Sequence, residues 1–515
     1  MGKLYLGIEL GSTRIKSVLI DADTRVVAQG SYEWENTLVG GLWSYSLEDV
    51  ENGLQASYLD MAGEYKEKFG APLTEIEAIG ISAMMHGYLA FDKDDKLLAP
   101  FRTWRNTNTE EAADALSEAF GFNIPMRWSV AHYYQSVLNK EEHVDKVAFL
   151  TTLAGYVHYR LTGRKVLGVG DASGMFPTVG KGYDKQMLAK LDKMLADKGI
   201  TISFETLLPT VLLAGDDAGR LTESGATFLD PGGNLKAGAL LCAPEGDVGT
   251  GMVATNSVRQ RSANVSAGTS AFLMIALEKA LSSYYKEIDV VASPVGDPVA
   301  MVHVNNFTTE ITAWANLFEE VIALADCEMS RGKLFDSLFA SSLGGAADCG
   351  GLMGYNFLAG EPVVDVKNGA TVLTRAPEGK LTLANFMKTQ IYSALGALAV
   401  GCETLKRENV AIDTVCGHGG FFKAHMVGQR AMSAALGAPV TVMQNAGEGG
   451  AFGIALLALY ATKNGDSLAD FLDGVFAGAE KNTVTATADD VADFEAFMKK
   501  FKSGLAVQRL AAEVL

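Results

Sequence analysis

The sequence predicts a mixed α/β protein of two large domains or three to four smaller ones, and three observations carry that prediction. The chain has 515 residues, beyond the roughly 100–200 of an ordinary folding unit. Short apolar runs that read as strands alternate with longer amphipathic stretches that read as helices. A strand–turn–strand pattern at the start returns in the second half, around a tip of the same Gly-hydroxyl-hydroxyl composition.

In chain order, residues 4–10 read as a strand, Gly11-Ser12-Thr13 as a turn, 15–20 as a second strand and 25–29 as a third. Helical periodicity follows at 47–65 and 108–119, with a short buried strand at 78–82 between them. Residues 144–161 read as one helix closed by Gly163. The stretch 208–244 is rich in Gly, Pro and Asp, which places the domain boundary near its end: 1–242 and 243–515. The second hairpin pairs 264–266 with 271–276 around Gly268-Thr269-Ser270. Later come helices at 383–405 and 424–436, a strand at 414–416 and the turn Gly417-His418-Gly419-Gly420. A last helix over 488–501 carries Val491, Phe494, Met498 and Phe501 on one stripe. It is too short a repeat for a coiled coil and reads as a docking strut, one that packs back on the N-terminal domain.

Composition excludes several classes. Lys and Arg number 43 against 61 Asp and Glu, a net charge of −18, which repels phosphate backbones and argues against nucleic acid as a partner. There is no run of eighteen apolar residues and no signal-peptide layout, so neither a membrane span nor secretion is expected. Five scattered cysteines without a C-x-x-C pair fit reduced thiols in a cytoplasmic protein. No segment declares an oligomer interface, and a homodimer stays open.

Two segments carry chemistry. In Glu9-Leu10-Gly11-Ser12-Thr13-Arg14-Ile15-Lys16 a carboxylate ends one strand, a glycine turn offers N–H groups and hydroxyls, and a cation follows. Turn amides form anion-binding concavities, and a nearby carboxylate suits hydrated Mg²⁺; the alternative is a plain hairpin with a solvated Glu. In Glu245-Gly246-Asp247-Val248-Gly249-Thr250-Gly251 one Asp among glycines can approach a substrate hydroxyl and take its proton; the alternative is an ordinary Asp turn. The G-x-G-x-x-A from Gly249 to Ala254 is set aside as a dinucleotide fingerprint, because no clean strand leads into it and Pro244 lies upstream. No Walker A motif occurs.

Taken together, these segments resemble the FGGY carbohydrate kinases. Gly7-Ile8-Glu9-Leu10-Gly11-Ser12-Thr13 is similar to their first phosphate motif, and Ser266-Ala267-Gly268-Thr269-Ser270 to their second. Met84-Met85-His86-Gly87 resembles the substrate-side Met-His-Gly, Trp104-Arg105-Asn106 a Trp-Asn-Asp-type run, and Gly246-Asp247 the Gly-Asp of the catalytic base. His418-Gly419-Gly420 and Glu448-Gly449-Gly450 resemble the adenosine-side loops. The matches run in order from residue 4 to about residue 460.

The resemblance implies an actin-like, ribonuclease H-like fold of two α/β domains around a deep cleft, with ATP and Mg²⁺ on one side and a sugar or polyol on the other. It implies Asp247 as general base, Met85, His86, Trp104, Arg105 and Asp247 on the sugar, and Gly11, Ser12, Thr13, Lys16, Gly268, Thr269 and Ser270 on the phosphates. Gly419, Gly420, Gly449 and Gly450 would lie against adenosine, with Glu9 and Asp247 as outer-sphere partners of Mg²⁺. Within the family the xylulose kinases are most alike, which implies transfer to a ketopentose, D-xylulose to D-xylulose 5-phosphate. Kinases of ribulose, fuculose or glycerol are the alternatives, and an actin-like ATPase switch is the alternative outside sugar chemistry.

Three departures bear on the sugar. Glu9 stands where most relatives have Asp; Val248 replaces an Asn common after the base; and the loop Tyr355 to Pro362 lacks the Arg of Leu-x-Gly-Glu-Arg-x-Pro. His132, His143, His158, His303 and His425 show no ligand spacing and read as helix or surface histidines. Asn305, Asn306 and Trp314 read equally as cleft, core or loop residues, and Gly170-Asp171-Ala172-Ser173-Gly174 as packing.

Overall fold

The computed structural model describes residues 2–424, 426–443, 449–463 and 465–514; His425 and Glu448, both singled out above, lie outside them. The chain divides into two compact units. One holds residues 1–259, 283–299 and 447–478, the other 260–282, 300–446 and 479–515.

The first unit is built on a mixed sheet in the order Leu240–Leu241, Ala78–Ala83, Leu4–Leu10, Arg14–Asp21, Val26–Glu33, with Glu245–Gly246 also on Ala78–Ala83. The opening three strands form the expected antiparallel meander, while Ala78–Ala83 runs parallel to Leu4–Leu10. Leu6, Ile8, Leu10, Ile79 and Ile81 from these central strands are fully buried. The helix Leu47–Phe69 covers one face, started by Ser46, whose hydroxyl accepts the Asp49 N–H, and ended by Gly70 in the left-handed region. The helix Gly449–Tyr460 lies so close to the sheet that a Cβ at Gly7 would sit 2.1 Å from the Ala451 carbonyl oxygen. At Gly80 it would sit 2.6 Å from that of Ile454. Glycine at those two strand positions is what lets the helix backbone touch the sheet.

The second unit repeats the theme. Ser262–Ala267 and Ala271–Ala276 make an antiparallel hairpin, and the sheet continues through Thr414–His418, Val440–Met443 and Lys481–Val484. Thr414–His418 runs parallel to Ser262–Ala267, as Ala78–Ala83 does to Leu4–Leu10.

Three expectations change. The divide expected after residue 242 does not separate the units: Glu245–Gly246 pairs with Ala78–Ala83 and Asp247–Ala254 packs on Gly449–Tyr460, which keeps residues 243–259 in the first unit. The helix expected over 144–161 is a 3₁₀ turn Val144–Lys146, a strand Phe149–Thr151 and a helix Leu153–Thr162. The strand pairs with Leu89–Phe91, and the Thr152 hydroxyl caps the helix by accepting the Gly155 N–H at 3.2 Å. The last helix runs Ala488–Val514 and packs in the second unit. Its Phe494 and Phe497 rings meet Tyr392 edge-on, and Phe501 fills the space above Gly396. Among the described residues no helix is long and apolar enough to cross a membrane.

Candidate active site

In the first unit, three strand ends converge. Leu10 pairs with Ala83 and Gly246 pairs with Ala83, so Glu9-Gly11, Met84-His86 and Asp247 leave the sheet at one edge. Open α/β sheets take their ligands beyond the carboxyl ends of parallel strands for this reason.

Asp247 is the first residue of the helix Asp247–Ala254, where the helix dipole favours a carboxylate. Its Oδ1 accepts the Met85 N–H at 3.2 Å and the Val248 N–H at 3.1 Å. A hydroxyl pair, Ser82 and Thr250 at 2.9 Å, ties the helix to the strand beside it. Water reaches the side chain, yet the protein packed around it raises the carboxyl above its usual range. The Met85 and Val248 N–H groups and the charge of Arg127 pull the other way.

His86 sits in the left-handed region at φ 70°, followed by Gly87 at φ 93°. Its ring stacks near Trp128, with centroids 6.1 Å apart, and its Nδ1 is 3.3 Å from the Gly174 carbonyl oxygen. A carbonyl only accepts, so Nδ1 carries the proton and Nε2 is left as an acceptor. Burial, then the charge of Arg127, holds the imidazole well below its ordinary range and therefore neutral. Gly246 is required here, since a Cβ would lie 2.0 Å from Met85 Cγ.

Glu9 lies opposite Lys16 in the hairpin register. Its carboxylate accepts the Ala451 N–H at the start of Gly449–Tyr460, and a Cβ at Gly450 would come within 2.3 Å of Oε1. Burial pushes this carboxyl up to about 7, with Lys16 opposing and Asp247 adding to the rise. The residue expected beside Mg²⁺ is thus also the cap of a helix. Gly449 and Gly450 belong to the first unit, whereas Gly419 and Gly420 belong to the second. There, Gly419 (φ 105°) abuts the hairpin so closely that a Cβ would meet the Ala267 carbonyl oxygen at 2.3 Å.

The tips Gly11-Ser12-Thr13 and Gly268-Thr269-Ser270 stand at the ends of their hairpins as expected. Arg14 pairs with Glu33 at 2.5 Å on the surface. Met85, His86 and Asp247 come together directly. Among the described residues no hydrogen bond joins Trp104 or Arg105 to them: Trp104 rests on the core, and Arg105 lies 4.0 Å over the Trp43 ring and donates to Asn36 Oδ1 at 2.8 Å.

Sequence reasoning missed two groups. Arg127 acts electrostatically on both Asp247 and His86, and it is held by an ion pair with Asp289. Asn123 donates to the same carboxylate at 2.9 Å. No local motif marks them, because Asp289 arrives from the returning segment 283–299. The second group lies behind Asp247. Asp171 is fully buried and accepts the Thr152 hydroxyl at 2.5 Å. Glu245 accepts the Gly170 and Asp171 N–H groups at 3.3 and 3.0 Å. Burial pushes Asp171 to about 7 and Glu245 to about 8, both well above the usual carboxylate range. The signal in the sequence was a carboxylate in each of two separate glycine runs, Asp171 in 170–174 and Glu245 in 245–251.

Models of the FGGY family of carbohydrate kinases match residues 4–230 with the N-terminal domain and 263–462 with the C-terminal domain, and the chain belongs to that family. It is therefore a sugar kinase, a phosphotransferase with the actin-like two-domain fold. A xylulose kinase of Haemophilus influenzae is 23% identical over 502 residues, covering 93% of this chain and 94% of its own. Two solved Lactobacillus acidophilus structures share the fold. The xylulose kinase has TM-score 0.79 at 16% identity, and the gluconate kinase 0.80 at 16%, each covering 99% of both chains.

Proposed function

We propose that the protein transfers the γ-phosphoryl group of ATP to a primary hydroxyl of a ketopentose, D-xylulose to D-xylulose 5-phosphate, with Asp247 as general base. The observation that carries this reading is the clamp on Asp247: two N–H groups hold one oxygen while water reaches the side chain. A carboxylate fixed in this way can take the proton of an attacking hydroxyl, an effect worth about 10²–10⁴ in rate. Neutral His86, its proton committed at Nδ1, offers Nε2 to a sugar hydroxyl. Arg127 supplies positive charge facing Asp247 and His86. The amides of the two tips are assigned to phosphate oxygens, because catalysis in this class is mainly positioning and charge stabilisation. The choice of xylulose leans on the Haemophilus influenzae relative, similar over nearly its whole length.

The donor set suits a hydrated Mg²⁺. Glu9 and Asp247 are hard oxygen donors, and the charge of Asp247 adds to the rise of the Glu9 carboxyl. Among the described residues no group of three or more His, Cys, Asp and Glu forms a protein cage; hydrated Mg²⁺ commonly takes one or two carboxylates, with water and phosphate as its other ligands. Such an ion would neutralise phosphate charge.

The test is ADP release over a panel of D-xylulose, ribulose, fuculose, gluconate and glycerol. D-xylulose should stimulate turnover most; a larger response to another acceptor would reassign the sugar, and none at all would overturn the reading.

A further inference from the structure

The second tip is held by a corner of the chain that has a buried carboxylate beneath it. The Gly268 carbonyl accepts the Thr308 N–H at 3.2 Å and the Thr308 hydroxyl at 2.6 Å. The Thr269 carbonyl accepts the Phe307 N–H at 2.8 Å and the Thr309 hydroxyl at 3.4 Å. With both oxygens tied down, the peptide planes of the tip are set, and so are the directions of its N–H groups.

What fixes the corner is Glu361. Fully buried, it accepts at Oε2 the Asn305 N–H at 2.9 Å, the Asn306 N–H at 3.2 Å and the Asn306 side-chain amide at 3.2 Å. Asn306 is spent on the same loop, donating to the Gly360 carbonyl at 2.7 Å and accepting the Ala359 N–H at 2.9 Å. Three of these bonds reach residues immediately before Phe307, so the carboxylate sets where the Phe307-to-Thr309 turn stands. Pro362 follows Glu361 directly, where the family motif carries an Arg, and among the described residues the hydrogen bonds to this carboxylate come from amide groups. The Val363 N–H on the same loop adds to these donors, and together they oppose the rise that burial imposes on this carboxyl, which is pushed up to about 7.

We propose that Glu361 is a positioning residue for the phosphate grip: through Asn305 and Asn306 it holds the corner that orients the Gly268 and Thr269 peptides. This rests on the phosphate role assigned to that tip, and the test separates the two.

Michaelis constants for ATP and for sugar, affinity for a non-hydrolysable ATP analogue and melting temperature are measured on four variants. Glu361→Ala should raise the ATP constant roughly tenfold, as for a misplaced binding group, with the sugar constant unchanged. Glu361→Gln, which keeps an acceptor oxygen, should restore most of it. Thr308→Val, which removes only the hydroxyl on Gly268, should weaken ATP by a smaller factor without lowering the melting temperature, and so keeps the test alive if Glu361→Ala fails to fold. Gly268→Asp is the control on the tip itself. If it leaves analogue binding intact, the phosphate reading of the tip is wrong. If it abolishes binding while Glu361→Ala and Thr308→Val move sugar and ATP constants equally, or neither, the positioning role is overturned.

Discussion

The two hairpins proposed to grip phosphate solve one problem with different materials. Each must turn its carbonyl oxygens away from an anion, and each does so by giving them donors. In the first unit the Trp34 indole N–H reaches Gly11 O at 2.7 Å and the Tyr45 hydroxyl reaches Ser12 O at 2.5 Å. These two rings stack at 4.1 Å in the hydrophobic core. In the second unit the donors are Phe307, Thr308 and Thr309, buttressed by the polar network around Glu361. An aromatic clamp owes its rigidity to packing, whereas a polar corner owes it to hydrogen bonds that must all be made. The first tip should therefore tolerate loss of one donor better than the second.

Three experiments break or sharpen that contrast. The largest effect should come from Gly268→Asp, which sets a negative charge at an exposed tip against phosphate. The Michaelis constant for ATP should rise by about 10² or more with sugar affinity nearly intact, and the reverse pattern would mean that tip and sugar side are misassigned. A smaller effect is expected from Trp34→Phe, which keeps the stack but strips the donor from Gly11 O. Stability should fall by about 1–3 kcal/mol for the unpaired carbonyl, with a rise in the ATP constant below that of Thr308→Val; a larger rise would remove the proposed difference between the tips.

The smallest effect concerns pH. Asp171 rises from 3.8 to about 7 on folding. Between those values the folded protein keeps a proton that the unfolded chain has released, so its stability falls as pH rises through that window and levels off above it. From pH 5 to pH 8 the melting temperature of Asp171→Asn should therefore drop less than that of the unaltered protein. Parallel curves would show that Asp171 is not protonated in the fold.

What the sequence made legible was local. The two glycine tips and Gly246-Asp247 could be read because turn chemistry is written within a few residues, whereas Met85-His86-Gly87 was read through its resemblance to a family motif. Returning segments were not legible. Asp289 reaches Arg127 from the 283–299 excursion, and Gly449-Gly450 packs against Glu9 from a stretch that follows most of the second unit. Neither return leaves a mark in composition, because the cost of chain reversal is spread over loops. Residues 144–161 failed for another reason. A strand buried on both sides, Phe149–Thr151, has no alternation to separate it from a helix, and only Thr152 hinted at the cap. Glu9 was read as a metal partner on its position alone; that its carboxylate also caps the Gly449–Tyr460 helix depends on Gly450 being there to admit it.

Asp247 remains where the account is most exposed, and Asp247→Asn tests it directly. Asparagine keeps the size and an acceptor for the Met85 and Val248 N–H groups but takes no proton at neutral pH. Turnover should fall by about 10²–10⁴ while sugar and ATP affinities and melting temperature stay close to those of the unaltered protein. In the unaltered protein the acid side of the turnover profile should set in above the usual carboxylate range, because this carboxyl is raised and only its charged form can accept the proton. A variant that melts early yet turns over normally per folded molecule would contradict the account and return Asp247 to an ordinary, structural Asp turn.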